Sequence, residues 1–129
     1  MNTCNRWLGM LALCGLAASA ASAGALDECM IKGDHAAVSR CLTTADREAQ
    51  AALYAAEGAA GTRARELDTA TGRPGANAAL ARSMRAFADF RKAQCDFVKA
   101  MYASGNGAEQ GALACRIDLT RRRLRDLQP

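Results

Sequence analysis

Residues 77–115 read NAALARSMRAFADFRKAQCDFVKAMYASGNGAEQGALAC, and this stretch decides the fold. Alanine dominates, β-branched residues are scarce and nothing alternates with period two. Both arms around the Ser-Gly-Asn-Gly break at 104–107 therefore read as helices. On a helical wheel Leu80, Met84, Phe87, Val98 and Tyr102 crowd one arc, with Phe90, Phe97, Met101 and Cys95 on its flanks. Arg91 falls in the middle of that arc. A guanidinium there must reach past the edge to water or meet a carboxylate, for which Asp118, Glu48 and Glu66 are the candidates. Cys95 and Cys115 stand equally far from Gly105. Folding the two arms together brings their thiols side by side.

Working outward, the first helix of the bundle is expected from about Thr43 to Thr71, with Ala45, Ala49, Ala52, Ala56 and Leu67 at helical spacing. Thr43 and Asp46 resemble a capping pair. Gly58 and Gly61 each cost roughly 1 kcal/mol relative to alanine in a helix interior, so a bend or break is expected there. Gly72-Arg-Pro-Gly75 ends the segment. The second helix starts at Asn77 as N-cap and runs to about Ala103. The third begins with Asn106 as cap and Glu109 three residues on, as in a capping box, and ends near Leu127. Its residues fall in two apolar rows: Leu113, Ile117, Leu124 and Leu127, then Ala112, Cys115 and Leu119. Such a helix touches two neighbours, Cys115 facing the second helix. Arg121, Arg122, Arg123 and Arg125 complement the dipole at its end. Before Thr43 there is room for a helical turn or two. The fold class expected is all-α: a small antiparallel bundle of three main helices, stapled by two disulfides.

The start of the chain is set aside as a leader. Met1–Arg6 carries one positive charge, Trp7–Ala18 is apolar but too short to span a bilayer, and Ala21-Ser-Ala23 has the small-x-small form of a signal-peptidase site. Residues 1–23 are expected to be a signal peptide and 24–129 the folded domain, with a cut after Ala20 as the alternative. Cys4 and Cys14 leave with the leader. Leu13 before Cys14, and Asp27-Glu28 before Cys29, argue against a lipid anchor. The mature chain would hold 129 − 23 = 106 residues, and its charge falls from +4 to +3 with the loss of Arg6. That balance does not argue for nucleic acid, and nothing after the leader is long and apolar enough to enter a membrane. The expected compartment is oxidising, a bacterial periplasm.

Four cysteines permit three pairings. Cys29 and Cys41 are centred on His35 as Cys95 and Cys115 are on Gly105, so hairpin symmetry favours Cys29–Cys41 and Cys95–Cys115. A zinc site needs closer knuckles than these, and redox catalysis lacks its C-x-x-C. His35, the sole histidine, reads as a solvated loop residue. No nucleophile–base pair or phosphate loop can be argued, so no enzyme, cofactor or metal is expected. The Arg121–Arg123 run reads as a solvated helix end before it reads as a grip on an anionic polymer.

The stretch Ser83-Met-Arg-Ala-Phe-Ala-Asp-Phe-Arg-Lys-Ala-Gln-Cys95 resembles the A-Q-R-x-W-x-x-[FY]-R-D-A-x-C signature of the lysozyme inhibitor LprI-like family, long catalogued as a domain of unknown function. Cys115, Leu119, Thr120, Arg123 and Leu127 are similar to the family's closing C-x3-L-T-x2-R-x3-L, and Cys29 and Cys41 sit where the family places its first two cysteines. Phe87 replaces the usual tryptophan and Lys92 the usual aspartate. The matched Phe87, Phe90, Arg91, Leu119 and Arg123, with the cysteines, read as a folding signature. The resemblance implies a secreted, helical, disulfide-bonded binding protein, with lysozyme inhibition recorded for the family's name-giving branch; an inhibitor needs a local group to enter the enzyme's cleft, and the loop Ser104–Gln110, with Asn106 and Glu109, is the best placed one. Animal lysozymes are basic, so a +3 partner gains no long-range steering and must act by local contact. The alternative is an envelope interaction or stress module without lysozyme contact.

Overall fold

This computed structural model describes residues 24–103 and 105–128, which form α1 (Ala25–Met30), α2 (His35–Thr71), α3 (Ala76–Met101) and α4 (Ala108–Asp126). The leader with its two cleavage positions, Cys4, Cys14 and Ser104 lie outside the described residues. The three long helices run up, down and up. Gln110 meets Ser39, Arg116 meets Asp46 and Leu127 meets Arg63, so α4 climbs parallel to α2. Cys95–Cys115 and Ser83–Arg123 run in opposite order, so α3 is antiparallel to α4. The expected all-α bundle with both disulfides is the one found, and each cystine holds its Cα atoms 5.6 Å apart.

The helix starts differ from expectation, each for a local reason. α2 begins at His35, eight residues before Thr43, because Asp34 caps it by accepting from the Ala37 N–H at 2.8 Å. Thr43 lies inside the helix and turns its hydroxyl back to the Ser39 carbonyl. Asp46 is not a cap. It is a tertiary partner of Arg116. α2 passes through Gly58 and Gly61 as one continuous helix. Gly61 is buried against Leu80 of α3, at a distance where a Cβ would make ordinary contact. Gly72 ends α2 at φ 63°, the left-handed conformation that glycine enters without strain.

α3 begins one turn-residue earlier than its expected cap. Gly75 is the cap position, Asn77 lies in the first turn, and the capping side chain comes from α2. Asp68 accepts from the N–H groups of Ala76 at 2.9 Å, Asn77 at 3.1 Å and Gly75 at 3.2 Å. One carboxylate thus satisfies three donors that a helix start leaves unpaired and clamps the α2–α3 turn. The Ala76 and then the Asn77 bonds hold the Asp68 carboxyl below its ordinary value, Gly75 adding to them and burial opposing. A depressed carboxyl contributes stability above its unfolded value of about 3.9 and loses it as pH falls through the folded value. Asp68→Ala should therefore lower the melting temperature at pH 7, and the gap to the parent should narrow below about pH 4. A gap constant from pH 7 to pH 3 in thermal denaturation would contradict the clamp.

The core lies at the α1–α2–α4 end. Ala25, Cys29, Val38, Leu42, Ala49, Ala114 and Ile117 form one buried cluster, with Leu26, Cys41, Ala45 and Leu113 packed against it. Six-residue α1 is held in place by its cystine, by Asp118 accepting from the Ala25 N–H at 2.9 Å, and by Arg121 pairing with Glu28 at 2.8 Å. Asp118 is therefore spent on α1. The two apolar rows of α4 face two neighbours as expected, Ile117 toward α1 and α2, Cys115 toward α3. In α3 itself Cys95 is the buried residue. Phe90, Phe97 and Met101 are 53%, 58% and 69% exposed, so the aromatics of this helix are not the core that their spacing suggests. The reason is topological: α1 packs on α2 and α4, not on α3, so no fourth helix covers the flank of α3 that carries these side chains.

Candidate functional site

The residues of the signature converge where α3 crosses α4. Arg91 points into this crossing and meets no carboxylate. Its Nη1 donates to the Thr120 hydroxyl at 2.7 Å and to the Gln50 side-chain oxygen at 3.2 Å. Its guanidinium carbon stands 5.3 Å from the centre of the Phe87 ring. Arg123 approaches the same ring at 5.6 Å and donates to Ser83 at 2.9 Å. Phe87 is thus shared by two cations, each drawn to the electron-rich ring face. None of the acids expected for Arg91 serves: Asp118 caps α1, and neutral oxygens take the place of Glu48 and Glu66. Burial first, then the charge of Arg116, lower the Arg91 pKa, with Asp46 and Glu57 acting the other way; the guanidinium stays protonated regardless.

Thr120 carries this arrangement. It is fully buried, donates its hydroxyl proton to the Arg116 carbonyl at 2.7 Å and offers its oxygen to Arg91. Thr120→Val keeps the shape but removes the acceptor of a charged donor, and is expected to cost about 2 kcal/mol in urea denaturation. Arg91→Leu in the same background should recover part of that loss. Additive losses in the double-mutant cycle would show that the two side chains do not interact.

Beside this crossing Cys95, of the Cys95–Cys115 cystine, lines a cleft of about 380 Å³ between α3 and α4 together with Ala88, Ala112 and Leu113. Arg91, Lys92, Lys99 and Arg116 bring four positive charges to it, Asp96 and Glu109 two negative ones. Lys92 pairs with Asp96 at 2.6 Å, Lys99 pairs with Glu109, and Arg116 grips Asp46 of α2 through two bonds of 2.7 and 2.6 Å. The Asp46 hydrogen bonds hold Arg116 above its ordinary value against the pull of burial.

The loop expected to make contacts sits at the mouth of this cleft. Asn106 is exposed and caps nothing: Gly107 precedes α4 without a side-chain cap. Glu109 does not reach back toward Asn106 but binds Lys99 across the turn, where a full opposite charge outcompetes a backbone N–H. Tyr102 lies flat over Gly111. A Cβ on Gly111 would come within 2.5 Å of the ring, so only a bare backbone lets the tyrosine close the base of the loop. Leu119, from the family signature, is half-buried on α4, and His35 is the exposed first residue of α2. Among the described residues no group of three histidine, cysteine or acidic side chains is placed to hold a metal, and no helix is long and apolar enough to cross a membrane.

The sequence profile described as "Lysozyme inhibitor LprI" matches residues 27–127, most of the chain and all four helices apart from the first two residues of α1. The chain belongs to this family. No curated protein and no solved structure matches it. Family membership was legible in the residues around Cys95 and Cys115. The description names an inhibitor, a non-catalytic role, in keeping with a sequence that offers no nucleophile–base pair. Sequence reasoning missed Gln50 and Thr120 as the partners of Arg91 and Asp68 as a clamp. No local signal could have found them, because each acts on a helix distant in the chain or beyond a turn.

Proposed function

We propose that this protein is exported across the inner membrane, loses residues 1–23, and acts in the bacterial periplasm as a binding protein that inhibits a lysozyme. The family match over residues 27–127 carries this reading. Two cystines support the compartment, since such bonds persist where thiols are oxidised. The turn around Asn106, with Glu109 beside it, is the projecting polar element and the proposed contact with the enzyme. Because the net charge is mildly positive, association with a basic lysozyme relies on local fit and should depend weakly on ionic strength. The test is the lysis of cell-wall suspensions, followed by turbidity, with purified oxidised protein added. Slowed clearing that weakens on Asn106→Ala and Glu109→Ala substitution is expected. Undiminished lysis by several lysozyme types at a large molar excess would sink the reading.

A second reading, an envelope interaction or stress module that leaves lysozyme alone, is favoured by one observation. Phe90, Phe97 and Met101 lie on one face of α3 and are each more than half exposed. An apolar helix face of this kind suits a protein partner. Pull-down from periplasmic extract, compared with a Phe90→Ser, Phe97→Ser variant, separates the readings. A partner other than lysozyme, lost in the variant, selects the second.

A further inference from the structure

We infer that the α3–α4 cleft binds a small molecule or chain end that carries one carboxylate on a short aliphatic body, seated against Arg91. This site adjoins the proposed lysozyme contact and shares Glu109 with it, but its argument stands whether or not lysis is inhibited.

Charge counting gives the first argument. Three of the four cations lining the cleft have a carboxylate of their own, namely Lys92 with Asp96, Lys99 with Glu109 and Arg116 with Asp46. Arg91 has none among the described residues, so one positive charge is left over, and it belongs to a half-buried side chain. A cation withdrawn from water without an ion partner is held at a cost that an incoming anion would relieve.

The donor geometry is the second. Both hydrogen bonds of Arg91 leave from Nη1. Among the described residues its Nε and Nη2 have no hydrogen-bond partner and neither is a sealed, unpartnered atom, as the Nε of Arg123 is. Arg91 lines the cleft, and its two hydrogen bonds leave those two atoms unused. Nε and Nη2 together form the planar two-donor fork that matches the two oxygens of a carboxylate. Thr120, Gln50 and the Phe87 ring fix the guanidinium from behind, so little rotamer freedom is lost on binding.

The walls are the third. Ala88, Ala112, Leu113 and Cys95 offer apolar surface around the charge, and about 380 Å³ fits a body of a few carbon atoms up to a dipeptide end. The Lys92–Asp96 and Lys99–Glu109 pairs at the rim carry no net charge, which disfavours a multiply charged anion such as phosphate.

The experiment is titration of the oxidised, isotope-labelled protein, followed by amide chemical shifts. The probes are N-acetyl-Ala-Ala with a free C-terminus, its C-terminal amide, propionate and inorganic phosphate. Saturable shifts confined to residues 88–99 and 109–116, produced by the free acids and absent with the amide, are expected. Tighter binding of the dipeptide acid than of propionate would assign a peptide end; equal binding would assign a free small acid. Arg91→Gln should weaken binding at least tenfold with helicity retained. Should that variant not fold, Lys99→Glu, which sets two acids at the mouth, should weaken it severalfold. Equal response to acid and amide, stronger response to phosphate, or no saturation by the order of 10 mM would overturn the inference.

Discussion

Replacing Cys29 and Cys41 by serine is expected to lower the unfolding free energy by about 3 kcal/mol, the loop-closure value for cysteines 12 residues apart. Loop length alone would rank Cys95–Cys115 slightly higher, since its separation is 20. The larger consequence falls on the first cystine because of what it holds. A six-residue helix has no stability of its own. Without the cross-link α1 keeps the packing of Ala25 and Leu26, the Asp118 cap and the exposed Arg121–Glu28 pair, and exposed pairs contribute little. Its release uncovers Leu42 and Ile117, which are otherwise fully buried. Urea denaturation should show the loss, and hydrogen exchange should place it: amides of α1 and the first turns of α2 lose protection first, those of α3 last. Uniform loss of protection along the chain would contradict this account.

Ile117→Ala is expected to cost about 3–4 kcal/mol, and Phe90→Ala well under half of that. Ile117 is completely buried where α1, α2 and α4 meet, so truncation leaves a cavity that three helices cannot jointly close. Phe90 is the larger side chain, but its ring is half in solvent and loses little on removal. Against a typical total of 5–15 kcal/mol for a domain, the first change removes a large share. Should Ile117→Ala not be recovered folded, Ile117→Val should still cost about 1 kcal/mol. The reverse order, with Phe90→Ala the more damaging, would move the core to α3 and overturn the packing described.

That contrast marks how far periodicity carries. The wheel of α3 drew one arc of Leu80, Met84, Phe87, Val98 and Tyr102, of which the first four are half-buried and Tyr102 is exposed, and set Phe90, Phe97, Met101 and Cys95 on its flanks, of which Cys95 alone is buried. It could not tell a flank that is covered from one that is bare, since covering depends on which helix lies alongside. The same holds for charge. Asp46 has the spacing of a capping residue after Thr43, yet its carboxylate meets Arg116, 70 residues away, while Asp34 does the capping well before the expected start. Asp68 gave no sequence signal, being an acid on an apparently solvated helix end. Its role emerges only when the Gly72–Gly75 turn folds the next helix start back onto it.

By itself the sequence determined what is local or covalent: helix as the backbone state, the turns at Gly72–Gly75 and Gly105–Gly107, the two cysteine pairings and the family. Alanine content, glycine punctuation and the equal distance of paired cysteines from a turn act over a few residues or one hairpin, so they survive in the linear text. Tertiary structure alone decided the position of the core at the α1 end, the neutral partners of Arg91, the exposed face of α3 and the cleft beside the Cys95–Cys115 cystine. Each of these depends on side chains some 30 to 90 residues apart meeting at crossing helices. Crossing geometry is set by packing of all the helices at once, a sum that no single segment records.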